Sequence, residues 1–282
     1  MIQTGKNPMR IVMPLFDFHN DSSEEFIFEG GKYALRRFNP DDEIPNTDLF
    51  SKLDVKYMKR ECWAIVAENP DVEKYKQEVN ILLLSFKIYR LAPLFIKYRL
   101  CKEDETLCSI LYDTMQYVLR EKSCPIIVSN DLVVINNGFS NLLQMRTISN
   151  RTQNALYFLY RGFHSSKMID CFMFLMSAVE SLFSGESRGG VTKIICSRVS
   201  SFLNNKERCK YQNIEDLYDL RSKIVHGRVT VDDEIKGHLA TLHELEYVIT
   251  ECMKKMLDEK IYLIYEDAQK KEIYFSKLVV GK

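Results

Sequence analysis

Residues 216–228 read DLYDLRSKIVHGR. Leu217, Arg221 and Val225 recur at helical spacing, which predicts one stripe of an α-helix, the side expected to be buried. Gly227 follows His226 at once and suits the left-handed residue that closes a helix. Asn213 is the expected N-cap, and Glu215 and Asp216 favour the positive end of the helix dipole. The helix is therefore expected over 213–226. Arg221 on a buried stripe needs a partner or a cavity. His226 falls in the last turn. Five residues rise about 7.5 Å and turn about 140° beyond one revolution, so Arg221 and His226 do not share a face of one straight helix. On its own the pattern also fits an ordinary helix ending, with an arginine that snorkels to solvent.

Around this stretch the chain reads as helix after helix. TQNALYFLYRGF (152–163) comes first, and SKMIDCFMFLMSAVESLF (166–183) is apolar on nearly every side, as a central helix is. VTKIICSRVSSFLNN (191–205) precedes the quoted helix, and DDEIKGHLATLHELEYVITECMKKMLDE (232–259) follows it. In the last, Ile235, Leu239, Leu242, Ile249, Met253 and Met256 share a face. The tail, IYLIYEDAQKKEIYFSKLVVGK (261–282), is ambiguous.

The first 150 residues read differently. RIVMPLFDF (10–18) and ECWAIVAE (61–68) are strand-like, and EEFIFEGGKYALRRF (24–38) reads as a hairpin turning at Gly30-Gly31. DVEKYKQEVNILLLSFKIYRL (71–91) is helical, with Val79, Leu82, Leu83, Phe86 and Tyr89 on one stripe. LAPLFIKYRL (91–100) and CPIIVSNDLVVIN (124–136) are expected as strands and TLCSILYDTMQYVLREK (106–122) as a helix, with a turn at Asn136-Asn137-Gly138. The expectation is an α+β fold that is mostly α. An N-terminal region of strands and helix, residues 1–150, packs on a C-terminal helical bundle, residues 151–282.

The run LYDLRSKIVHG resembles the R-x4-H signature of the HEPN superfamily, and most closely its Apea-like branch. FMFLMSAVESLFSGES resembles the preceding core helix of that branch, with its A-hydrophobic-E-x-L centre at Ala178, Val179, Glu180 and Leu182. The resemblance covers about 150–260 and, weakly, the helix at 71–91. It implies a HEPN-type helical bundle and metal-independent RNA cleavage by a homodimer, with Arg221 and His226 catalytic and each motif facing its mate across a twofold axis. It also implies a setting in defence against phage or in a toxin-like system. Two positions depart from the pattern. Ser222 stands where many nuclease members carry Asn, Asp or His. Thr230 stands where members paired with a nucleotidyltransferase antitoxin carry tyrosine.

Nearby residues are read as supports. Asp170, Ser177, Ser181 and Ser184 fall near one stripe of an apolar helix, and Glu180 or Asp170 is the expected partner of Arg221. Ser222 is a further supporting residue. Between Glu186 and Lys210, six basic residues stand against two acidic ones. Of these, Lys193 and Arg198, with Lys223 and Arg228 flanking the motif, are the expected RNA contacts. A solvated helix face is the plain alternative.

Composition bounds the rest. The 282 residues suit one large domain or two ordinary ones, and 46% are apolar, enough for a sizeable core. Thirty-nine basic and 39 acidic residues cancel, which excludes a histone-like polycation but not a local basic patch. The eight cysteines form no C-x-x-C pair and are expected to be reduced. MIQTGKNPMR lacks the apolar stretch of a signal peptide, and Met168–Phe183 is too short to span a bilayer and holds Asp170 and Glu180. A cytoplasmic protein without membrane contact is expected. Gly185–Gly189 matches G-x-S-x-G, but a helical run precedes it where a nucleophile elbow needs a strand. Gly30-Gly31-Lys32 is not a phosphate loop, and no metal or cofactor is expected. Besides RNA and a second copy, a protein or ligand at the N-terminal region is the expected partner. The alternative to a nuclease is a non-catalytic dimerisation or nucleotide- or RNA-binding module.

Overall fold

The computed structural model describes residues 9–21, 24–44, 47–59, 62–71, 74–103, 106–112, 125–185, 190–228 and 239–280. The architecture is mixed α+β, strand-rich at the N-terminus and helical at the C-terminus. The chain divides into two compact units between Ser140 and Asn141.

The first unit is built on an antiparallel sheet. β1 (Met9–Phe16) lies between β5 (Cys62–Glu68) on one side and β6 (Phe95–Ile96) with β7 (Tyr98–Glu103) on the other. Beyond β5 come β4 (Tyr33–Phe38) and β3 (Phe26–Ile27); beyond β7 comes β8 (Thr106–Tyr112). A separate parallel pair joins β2 (His19–Asn20) to β9 (Ile126–Ile127). Ile11 to Phe16 and Cys62 to Ala67 are buried at every position, because these central strands are covered on both faces. On one face Val12, Phe16, Phe38, Ala64, Val66 and Leu100 meet Ile44, Phe50 and Met58, brought by α1 (Pro40–Glu43), α2 (Lys52–Met58) and the segments beside them. On the other, α3 (Tyr75–Arg90) packs through Glu78, which accepts from the Tyr33 hydroxyl at 2.8 Å, and Phe86, edge-on to Phe18 and Phe28.

Gly30 and Gly31 turn the β3–β4 hairpin with φ of 77° and 67°, as expected. Three expectations in this half are overturned. Thr106–Tyr112 is a strand, not the start of a helix, and residues 113–122 lie outside the described residues. Opposite β7, Leu107 pairs with Lys102 and Ser109 with Cys101, so Cys108 is an extra residue. The bulge reverses the alternation and puts Leu107 and Ile110 against the same core. That i, i+3 spacing imitates a helix. Of the run expected as a strand at 124–136, only Ile126–Ile127 pairs; α4 (Ser129–Arg146) takes the rest. Gly138 is not in a turn but inside α4, under the Tyr89 ring, where a Cβ would lie 2.1 Å from Cε2.

The second unit begins in the last turns of α4, where the Asn141 and Gln144 side chains accept from the Tyr262 hydroxyl. It continues through α5 (Asn150–Phe163), α6 (Met168–Phe183), α7 (Val191–Phe202), α8 (Tyr211–Val225), α9 (Leu239–Asp258) and α10 (Ala268–Val280). Ser149 caps α5 with a reciprocal Thr152 capping box. The tail, ambiguous in sequence, forms a 3₁₀ segment, Ile261–Glu266, and α10. α6 contacts α5, α7, α8 and α9, the central place its composition predicts.

The C-terminal end of α6 is capped by side chains of other elements. Arg151 donates to the carbonyl of Ser181, Tyr265 to that of Leu182, Arg198 to those of Phe183 and Ser184, and Lys271 to that of Ser184. Each carbonyl that the end of a helix leaves without a partner has a donor, and three of the donors are cations facing the negative pole.

Candidate functional site

α8 begins at Tyr211, two residues before the expected cap. Asn213 does not cap it; its amide donates to the carbonyl of Glu207. Ile214, Leu217 and Tyr218 are buried, Arg221 is half-buried, and Val225 is exposed, so the stripe rises out of the core along the helix. The helix closes at His226. Gly227 has φ 63°, its N–H bonds the Ile224 carbonyl at 3.1 Å, and the Arg228 N–H bonds the Lys223 carbonyl at 2.9 Å. This is the Schellman closure expected of His-Gly.

Arg221 finds its partner on α6. Its Nη2 donates to Glu180 Oε2 at 3.1 Å, and both side chains are 28% exposed. The pair is therefore formed within the chain and still open to a molecule outside. Burial pushes the Glu180 carboxyl above its ordinary range, and the Arg221 charge opposes this without reversing it. Arg221 Nε and the Tyr218 hydroxyl are both buried without a hydrogen-bond partner among the described residues. Tyr218 was not singled out from the sequence. The signal was its place three residues before Arg221, on the same face.

The other expected residues separate into groups. Asp170 is exposed in the first turn of α6, ten residues and about 15 Å along the helix from Glu180, so Glu180 and not Asp170 meets Arg221. Ser177, one turn before Glu180, bonds back to the Met173 carbonyl at 2.9 Å. Ser222, Lys223, His226 and Arg228 are exposed around the end of α8. Lys193 is exposed near the start of α7. Arg198 is buried in a two-point pair with Glu272, its guanidinium over the Phe275 ring, so it holds α7 to α10 and does not present its charge. The basic run is largely neutralised: Lys206 pairs with Glu251, Arg208 with Glu244 through two bonds, and Lys210 with Glu207. Arg188 and Thr230 lie outside the described residues, as do Glu186 to Gly189 of the G-x-S-x-G match; α6, not a strand, precedes that match.

Among the described residues no cluster of His, Cys, Asp and Glu is arranged to hold a metal, no cysteine forms a disulfide, and no helix is long and apolar enough to cross a membrane. No family model, curated protein or solved structure matches the chain.

Proposed function

We propose that the protein is a metal-independent endoribonuclease of HEPN type that acts as a homodimer. The observation that carries this reading is the Arg221–Glu180 pair. Two separate segments resemble that superfamily, the A-hydrophobic-E-x-L helix and the R-x4-H helix, and their functional side chains meet at 3.1 Å. RNA brings its own nucleophile, the 2′-hydroxyl. A histidine titrates near neutrality and can take that proton or deliver one to the leaving 5′-oxygen. His226 is exposed at the end of α8, where a substrate reaches it. An arginine can hold the scissile phosphate and stabilise the charge that builds there. Since Arg221 turns toward α6 and His226 to solvent, a twofold axis beside α8 lets the Arg221 of one protomer work with the His226 of the other. Lys193, Lys223 and Arg228 offer phosphate contacts. A role in defence against phage or mobile elements, with host or invader RNA cleaved, rests on the resemblance alone.

One observation favours the second reading, a non-catalytic dimerisation or nucleotide- or RNA-binding module. Arg221 is already paired within its own chain, as a purely structural arginine would be. Incubating the wild type and His226→Ala with single-stranded RNA in EDTA, followed by end-group analysis, separates the two. A nuclease leaves 2′,3′-cyclic phosphate and 5′-hydroxyl ends with the wild type alone. A module leaves the RNA intact with both, and growth arrest on expression, relieved by Arg221→Ala, tests whether an activity is held latent.

A further inference from the structure

Tyr218 is buried one helical turn before Arg221, on the same face of α8, and its hydroxyl has no hydrogen-bond partner among the described residues. A buried hydroxyl without an acceptor is unfavourable, and phenylalanine would fill the same space without that penalty. The charges on Glu180 and Arg221 both act on Tyr218, with Glu180 the stronger. Arg221 holds Glu180 through one bond only, from Nη2. If Arg221 turns to a phosphate, a partly buried carboxylate is left without its counter-charge, which is strongly unfavourable unless another donor replaces it.

We propose that Tyr218 is a positioning residue of this site: when Arg221 leaves Glu180 to hold a phosphate, the Tyr218 hydroxyl donates to the Glu180 carboxylate in its place. The inference rests on the nuclease reading and extends it. No proton changes owner. An N–H···O bond is exchanged for an O–H···O bond, and the guanidinium charge passes to the phosphate. Tyr218 thereby lowers the cost of releasing Arg221 and touches no substrate atom itself.

The test is binding of a 2′-O-methyl RNA oligonucleotide, whose nucleophile is masked, to the full-length chain by fluorescence anisotropy. Arg221→Ala should weaken binding. Tyr218→Phe should weaken it about tenfold, the order expected for one lost hydrogen bond to a charged acceptor. Glu180→Gln leaves no charge to be neutralised, so the double variant Tyr218→Phe/Glu180→Gln should bind as Glu180→Gln does. A structural role for Tyr218 predicts no such rescue. Wild-type affinity in Tyr218→Phe, with binding still dependent on Arg221, overturns the proposal and leaves the nuclease reading standing. Wild-type affinity in Arg221→Ala overturns both. Should Tyr218→Phe lose its fold by circular dichroism, Glu180→Gln carries the test: affinity at or above wild type supports the exchange, and weaker binding refutes it.

Discussion

Glu180 is the residue on which the site turns, and its energetics are testable apart from any activity. Burial raises its folded pKa above the unfolded value. A carboxyl shifted in this direction contributes fully below its unfolded pKa, and its contribution is lost as pH rises through the folded value. Glu180→Gln should therefore gain thermal stability relative to wild type as pH rises through and above the ordinary carboxyl range. Thermal melts across that range check this, and a gap independent of pH would refute it. Gly227 gives a second test at the same scale. At φ 63° an alanine meets the left-handed penalty, so Gly227→Ala should cost about 1–2 kcal/mol in urea denaturation. It should also disturb His226, whose helix ending it opens. Gly227 and His226 were legible together from sequence, because the Schellman closure is local. The Arg221 partner was narrowed to Glu180 or Asp170, and only the packing of α6 against α8 chose between them.

At the scale of elements, α6 is held at its end by donors from four other segments. Arg198→Met removes the cation that spans two carbonyls and Glu272, and should cost about 2–3 kcal/mol. Lys206→Met breaks an exposed pair and should cost under about 1 kcal/mol. Equal losses by chemical denaturation would show that Arg198 is not the structural residue its burial indicates. The α5–α6 contact sets another limit. A Cβ on Gly162 would stand 2.7 Å from Leu175 Cδ2 and 2.9 Å from Cγ. Gly162→Ala should destabilise by about 1–3 kcal/mol, and Leu175→Ala in the same chain should recover part of that loss. Helices were legible wherever the apolar period was regular, as in α5 to α9. Two of the misread stretches had a tertiary cause. At β8 a bulge shifted the strand's phase until it looked helical. At Asn136-Asn137-Gly138 a turn-like tripeptide serves inside α4, because Gly138 makes room for the Tyr89 ring.

At the scale of the molecule, the proposed dimer predicts that sedimentation equilibrium finds a particle of two chains. A monomer at all accessible concentrations would remove the cross-protomer pairing of Arg221 with His226. The pairing of Lys206, Arg208 and Lys210 within the chain predicts that neutralising these three changes the salt dependence of RNA affinity little, since their charges are already met by carboxylates. The sequence by itself determined the order of fold types, strands then helices, since periods of 2 and 3.6 are local properties of a chain. It also determined the Arg221–His226 spacing and the glycine that ends their helix. Only the tertiary structure decided which charges are presented and which are consumed. Arg198 and Lys193 look alike in sequence. One is buried against Glu272 and Phe275, the other stands exposed, because a guanidinium follows whichever carboxylate and ring the distant α10 delivers. Tyr218 was decided in the same way. An apolar stripe does not tell whether a phenol finds an acceptor, and the packing buries the Tyr218 hydroxyl without one among the described residues.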